Sequence, residues 1–436
     1  MMATPRTSEA PQPGPEPFRA TDSPFLRAPE GARTIFLVTL LAAAAPLLAG
    51  FVLFGRRAMI VAAIAIGGCV IIEWLYFRVT RFPALLGRTH GYLTGVLLAL
   101  TLPPFVPWYV PLVAAAFAII VGKAAFGGVG HFLWQPALVG RLAVAFLFPG
   151  PIEIPARQVN LLVAKLDVPA IKLDLPTMDP RQWPVLAQNR LLIGDVAAAK
   201  TVERMGPWRN RPADPGYDGF KYPPPAAVLR GLTDTGNPKF SALAYIPADL
   251  PRARPAALMK LPPIGDLISG TRCGGIGETS AVILIVAGLY LIYRNYVKWP
   301  LPVSILVAAA ATFAVSPVSL SGPNDTVVRV WVPLTAEGLD VGFLYVSYHL
   351  LSGQLPLAAF FLATEMTSRP VTTGGQVLFG IAVGVLAAVL TLYVRTPIPC
   401  YVAILIMNTL TPLIDSIWRP RGLGTRRFAW PFRKRA

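Results

Sequence analysis

Apolar positions in this chain fall in unbroken runs rather than in one-sided stripes, at 32–54, 59–77, 91–102, 108–126 and 136–148, then at 278–293, 300–315, 341–363, 376–394 and 398–417. Most are near the roughly 20 residues a helix needs to cross a bilayer, so the pattern predicts about ten transmembrane helices. The third and fifth runs are short. Thr101-Leu-Pro-Pro-Phe-Val-Pro107 breaks the third, and Gly127-Gly-Val-Gly130 with Pro136 prepares the fifth; such interrupted helices persist at membrane depth only where protein or a cavity satisfies their backbone. Five runs, a polar insert and five more runs predict an all-α membrane protein of two five-helix repeats joined by a loop-rich central extramembrane insert. The expected divisions are a disordered tail at 1–31, a first repeat at 32–149, the insert at 150–267, a second repeat at 268–417 and a basic tail at 418–436.

Composition agrees with the runs: of 436 residues 54% are hydrophobic and 14% charged, with mean hydropathy +0.56. The net charge of +17 is concentrated where topology needs it. Arg419, Arg421, Arg426, Arg427, Arg433, Lys434 and Arg435 crowd the C-terminal tail, and Arg294 and Lys298 follow the sixth run. By the positive-inside rule both lie in the cytoplasm, which puts the N-terminus there too and the insert outside; Arg56 and Arg57 fall on the other side of this scheme. Contact with anionic lipid accounts for the charge, and no nucleic-acid-binding motif occurs. Cys69, Cys273 and Cys400 give neither a disulfide framework nor a metal pair, and His90, His131 and His349 lack metal-ligand spacing.

The chemistry-bearing residues gather at membrane boundaries. Ser269-Gly-Thr-Arg-Cys-Gly-Gly-Ile-Gly-Glu-Thr-Ser280 brings Glu278 to the start of an apolar run, where an acid is costly without a partner or a task. It reads either as an anion-shaping group in a glycine turn or as part of a helix cap, with Thr279 or Ser280 supplying the cap. A second glycine turn, with Gly128 and Gly130, precedes Arg141, whose guanidinium could hold a phosphate, pair with a buried carboxylate or reach the headgroups. Glu365 and Asp415, with Asn408, Thr411 and Thr364, supply hard oxygen ligands suited to a transient Na⁺ or proton site, and each acid could instead cap a helix or pair with an arginine.

Four segments in order, GGVGHFLWQPALVGR, GGIGETSA, ATEMTSRPVTTGGQVLFG and MNTLTPLIDSIWRPR, resemble the NqrB/RnfD family, the flavin-bearing membrane subunits of Na⁺-pumping quinone reductases and Rnf electron-transport complexes. The resemblance covers roughly 91–149 and 265–421 and is closer to RnfD. It implies ten helices in two repeats, a bacterial inner-membrane location, other membrane and peripheral Rnf- or Nqr-type subunits as partners, FMN as cofactor and Na⁺ or H⁺ as the ion moved. Glu278, Asp415 and Glu365 match acidic positions of the family, and with Asn408 form the expected ion pathway. FMN in the family is joined to a hydroxyl of an S/T-G-A-T/S motif in the insert. Here 218–226 offers no such hydroxyl; Thr233 and Thr235 are the nearest, so noncovalent FMN held by backbone NH groups near Gly128, Gly130 and Arg141 is the expectation. His131 and Gln135 stand where the family has asparagines. The function expected is an electron relay coupled to ion movement; a solute channel on the same scaffold and a flavin-less structural subunit are the alternatives.

Overall fold

In a computed structural model of the protein, the described residues are 31–80, 90–152 save 129, 267–321 save 269 and 271–273, and 327–418 save 337–338, 352, 395 and 397. The N-terminal tail, the insert with Thr233 and Thr235, and the basic tail from 419 onward lie outside them.

Every predicted run is helical. The first half holds α1 (Ala32–Phe54), α2 (Arg56–Thr80), α3 (Gly91–Thr101), α4 (Tyr109–Ala116), α5 (Pro136–Leu147) and a single turn, α6 (Pro149–Ile152). The second holds α7 (Ala281–Tyr293), α8 (Pro300–Val315), α9 (Pro333–Ala336), α10 (Leu339–Leu351), α11 (Gln354–Leu357), α12 (Thr373–Tyr393) and α13 (Pro399–Ile417). Five helical stretches among the described residues are long and apolar enough to cross a membrane, and four more are shorter and apolar.

The helices pack inside out relative to a water-soluble bundle. Alanines such as Ala43, Ala58, Ala62 and Ala65 are buried, whereas Leu41, Val52, Ile71 and Trp74 on the same two helices face outward. Lipid tails are as apolar as leucine, so helices in a membrane associate through small residues that let backbones approach. Gly384 on α12 does this against the Ile305 carbonyl of α8, and Gly140 on α5 against the Ala114 carbonyl of α4; a Cβ at either would overlap the neighbouring backbone. The α8–α12 pair is the most extensive helix contact among the described residues.

Two runs predicted as single helices are broken. The run at 108–126 passes from α4 into a π turn, Phe117–Val121, closed by Gly122 N–H donating to Phe117 O at 3.0 Å. The run at 341–363 stops at α10, turns at Gly353 with φ 114°, and resumes as α11 and a second π turn, Ala358–Leu362, closed by Ala363 N–H on Ala358 O at 2.8 Å. The left-handed backbone at Gly353 cannot belong to a right-handed helix. After each π turn a link leads to a helix capped by a side chain: Gln135 accepts from Leu138 N–H before α5, and Thr372 from Gly375 N–H before α12, each at 3.1 Å. A π turn, a link and a side-chain-capped helix thus occur in that sequence once in each half. The all-α expectation misses one feature, an antiparallel hairpin of β1 (Val318–Ser321) and β2 (Val327–Val330) with Val318 opposite Val330.

Candidate functional site

Helix α3 ends inside the bundle, where its last carbonyls have no intrahelical partners. The glycine loop before α7 supplies them: Ile276 N–H donates to Leu102 O and Gly277 N–H to Leu100 O, both at 2.9 Å. Gly277 is required by this approach, since a Cβ there would lie 2.5 Å from a Leu100 side-chain carbon and 3.0 Å from its Cα. The remaining carbonyl, Thr101 O, accepts from Arg141 Nε at 3.0 Å. A guanidinium at the negative end of a helix dipole is favourably placed.

Into this crossing comes Glu278. Its Oε2 accepts from Gly275 N–H at 3.2 Å, and its Oε1 accepts from the Tyr401 hydroxyl of α13. Arg141 lies close enough for its charge to act on both Glu278 and Tyr401, and all three are buried. Glu278 is therefore not the helix cap. Ser280 has that task, accepting from Ile283 N–H at 3.4 Å while donating to Ile268 O at 3.0 Å. The acid joins the two halves of the molecule, and its charge is met by an arginine from the first.

The remaining predicted ion-pathway residues are elsewhere. Asn408, Thr411 and Asp415 share one face of α13 by their spacing. They fasten the link after the second π turn: Thr411 Oγ1 donates to Ser368 O at 3.1 Å, and Asp415 Oδ1 accepts from Val371 N–H at 3.1 Å. With its amide turned to suit both neighbours, Asn408 donates to Ser368 O at 3.3 Å and accepts from Gln135 N–H at 3.2 Å. Trp134 Nε1 donates to Thr409 Oγ1 at 2.9 Å, so the links of both halves dock on α13. Gln135 thus accepts from Leu138 N–H through its side chain and donates to Asn408 through its backbone. Glu365 lies in the same link, partly buried, and loss of water pushes its carboxyl above the ordinary value against the pull of Lys123 and Arg369 and a hydrogen bond from the Met366 backbone. Thr364 turns back to donate to Phe360 O at 2.8 Å. Among the described residues no group of three or more His, Cys, Asp or Glu could hold a metal ion.

Of the residues expected around a flavin phosphate, Arg141 is already engaged within the crossing. Arg141 spends Nε on Thr101 O, and a phosphate beside it would confront the Glu278 carboxylate. Gly128 and Gly130, each with positive φ, lie in the link before α5, and Gly128 faces Phe77. Thr233 and Thr235 are outside the described residues.

Sequence reasoning overlooked three groups. Tyr401 gives no local sign of its partner. Glu73 and Lys123 form a buried ion pair, Nζ to Oε1 2.6 Å, between α2 and the residues after the first π turn. A lone acid inside the apolar run 59–77 was the available signal. The buried histidines pack instead: His90 against Phe36 and Tyr92, His349 stacked on Phe313.

Residues 19–424 match the model of the NQR2, RnfD, RnfE family. The chain is 27% identical to the D subunit of the proton-translocating ferredoxin:NAD(+) oxidoreductase complex of Clostridium ljungdahlii, covering 94% of this chain and 97% of the relative. It is 29% identical to the D subunit of the ion-translocating oxidoreductase complex of Halorhodospira halophila, over 94% and 96% of the two chains. With the D subunit of the Na(+)-translocating ferredoxin:NAD(+) oxidoreductase complex of Acetobacterium woodii the identity is 28%, over 93% and 94%.

Proposed function

This chain belongs to the NQR2, RnfD, RnfE family, and we propose that it is the D-type integral membrane subunit of an ion-translocating oxidoreductase complex, in which it couples electron transfer to movement of Na⁺ or H⁺. The near full-length likeness to D subunits supports the assignment. The observation that carries the coupling role is Glu278: a carboxylate buried where the two halves cross, held by Tyr401 and Gly275 and faced by Arg141. An acid in that position changes charge when a proton or cation arrives, and the crossing it holds together feels the change.

The bacterial inner membrane is the proposed location. Arg294 and Lys298 after α7 and the basic C-terminal tail support a cytoplasmic placement of those ends, with the insert on the opposite side. The partners are then the other membrane and peripheral subunits of the complex. FMN is the proposed electron carrier and would supply one- and two-electron chemistry when bound.

Purification with native partners, flavin extraction and mass measurement of the intact chain test the redox reading; a complex without any flavin removes this protein from the electron path. Glu278→Gln tests the coupling reading in proteoliposomes. Ion movement per electron is expected to fall about tenfold with assembly retained, and unchanged coupling would assign Glu278 to structure alone.

A further inference from the structure

Helix α3 is enclosed along its length: of its 11 residues, all but Tyr92 are buried. Gly95 sets it hard against α2, where a Cβ would lie 2.6 Å from Ile66 Cα. The dipole of a helix so enclosed is poorly screened, because little water or salt reaches its ends.

Both ends of α3 meet buried charge of the sign the dipole favours. At the start, Glu73 Oε2 lies so close to Gly91 that a Cβ there would be 2.5 Å from it, and Glu73 Oε1 is 2.6 Å from Lys123 Nζ, with the two side chains 1% and 2% exposed. At the finish, Arg141 Nε donates to Thr101 O at 3.0 Å, and Arg141 faces Glu278. Charges therefore alternate along about 16 Å of helix: ammonium, carboxylate, positive helix end, negative helix end, guanidinium, carboxylate. A charge at a helix end shifts an equilibrium by roughly two- to thirtyfold, most where it is withdrawn from water. The mutual contact of Glu73 and Lys123 is a thin reason for burying them, since neither has any other hydrogen-bond partner and one contact recovers little of the cost of leaving water. The start of α3 gives the carboxylate a second source of attraction.

Resting on the coupling role of Glu278 above, we propose that Glu73, held by Lys123, is a positioning residue that acts on Glu278 through α3, so that the two buried acids form one electrostatic unit. Glu73 draws on the start of α3, whose far end presents Thr101 O to Arg141, and Arg141 so held faces Glu278. Neither Glu73 nor Lys123 touches the ion. When an ion neutralises Glu278, the guanidinium is left to the end of α3, and the whole row of charges feels the change.

The test uses the whole complex in proteoliposomes and the double variant Glu73→Gln with Lys123→Met, which removes both charges and leaves no unpaired ion buried. It is expected to assemble, with ion movement per electron reduced about fivefold. Adding Glu278→Gln should then cost about twofold instead of the roughly tenfold expected in the wild-type background, whereas sites this far apart without a shared partner act independently. The infrared carboxyl band that Glu278→Gln removes should also move in the double variant, a signal that a purely structural pair would leave in place. Gly91→Ala is the second probe: its methyl crowds the Glu73 carboxylate while every charge remains, and it should move the same band. A band unmoved in both variants, or effects of the pair and of Glu278→Gln that simply multiply, overturns the inference and leaves the proposed function intact. Failure of both variants to assemble overturns it too, making the pair a folding element. Wild-type coupling in Glu278→Gln overturns the proposed role of Glu278 and this inference together.

Discussion

Two buried acids in this bundle, Glu278 and Glu73, have similar exposure and different company. Glu278 accepts from a backbone N–H and a tyrosine hydroxyl and faces an arginine that also serves the α3 terminus. Glu73 has one lysine. Burial alone therefore does not tell what a membrane carboxylate is for. A proton or cation that reaches Glu278 disturbs several partners at once, so the change is felt across the crossing; a change at Glu73 disturbs a single direct contact.

The comparison is broken most severely at Arg141. Arg141→Met removes a buried countercharge facing Glu278 and the Nε donor to Thr101 O, and should cost about 3–5 kcal/mol, read as loss of assembled protein and a lower unfolding temperature in detergent. Gly277→Ala tests the crossing from its backbone side. The added methyl meets Leu100, and overpacking of this kind costs roughly 1–3 kcal/mol, with Gly274→Ala as the control at a glycine where a Cβ meets only ordinary contact. Tyr401→Phe removes one hydrogen bond to a charged group, worth about 1.5–3 kcal/mol, and should weaken ion coupling along with stability.

Asp415 sharpens the comparison at the surface. Asp415→Asn retains an oxygen able to accept from Val371 N–H, so stability should shift by less than about 1 kcal/mol. Loss of ion movement at unchanged stability would show that its charge serves transport as well as the link. The smallest expected effect is at Glu365. Its carboxyl is held above the ordinary value of 4.5, so its contribution to stability is full below that value and is lost as pH rises through the raised one. Glu365→Gln should flatten that part of the stability profile, measured by unfolding temperature across mildly acidic to neutral pH.

Much of this was legible along the chain. Each apolar run became helix, and 300–315 did so without any change of boundary. The π turns were not legible, since an extra residue in a helical turn leaves an apolar run looking continuous. Gly353 and Pro356 nevertheless marked the break in the 341–363 run. Ser280 was recognisable as a cap because capping is local: its oxygen reaches three residues along the same chain. Asp415 and Asn408 were recognisable as polar groups on a helix but not as fasteners, because what they fasten lies in other segments.

By itself the sequence determined that this is a multi-helix membrane protein with two helical blocks around an insert, the family it belongs to, and the identity of its costly acid, Glu278. Those properties follow from local hydrophobicity, turn chemistry and ordered motifs. The tertiary structure decided which charge answers which: Tyr401 for Glu278, 123 residues apart, Arg141 for the end of α3, and Lys123 for Glu73. A sequence pattern reports that a polar side chain is withdrawn from water. Which partner compensates it depends on helices meeting in three dimensions, and that partner decides what a change of the charge would disturb.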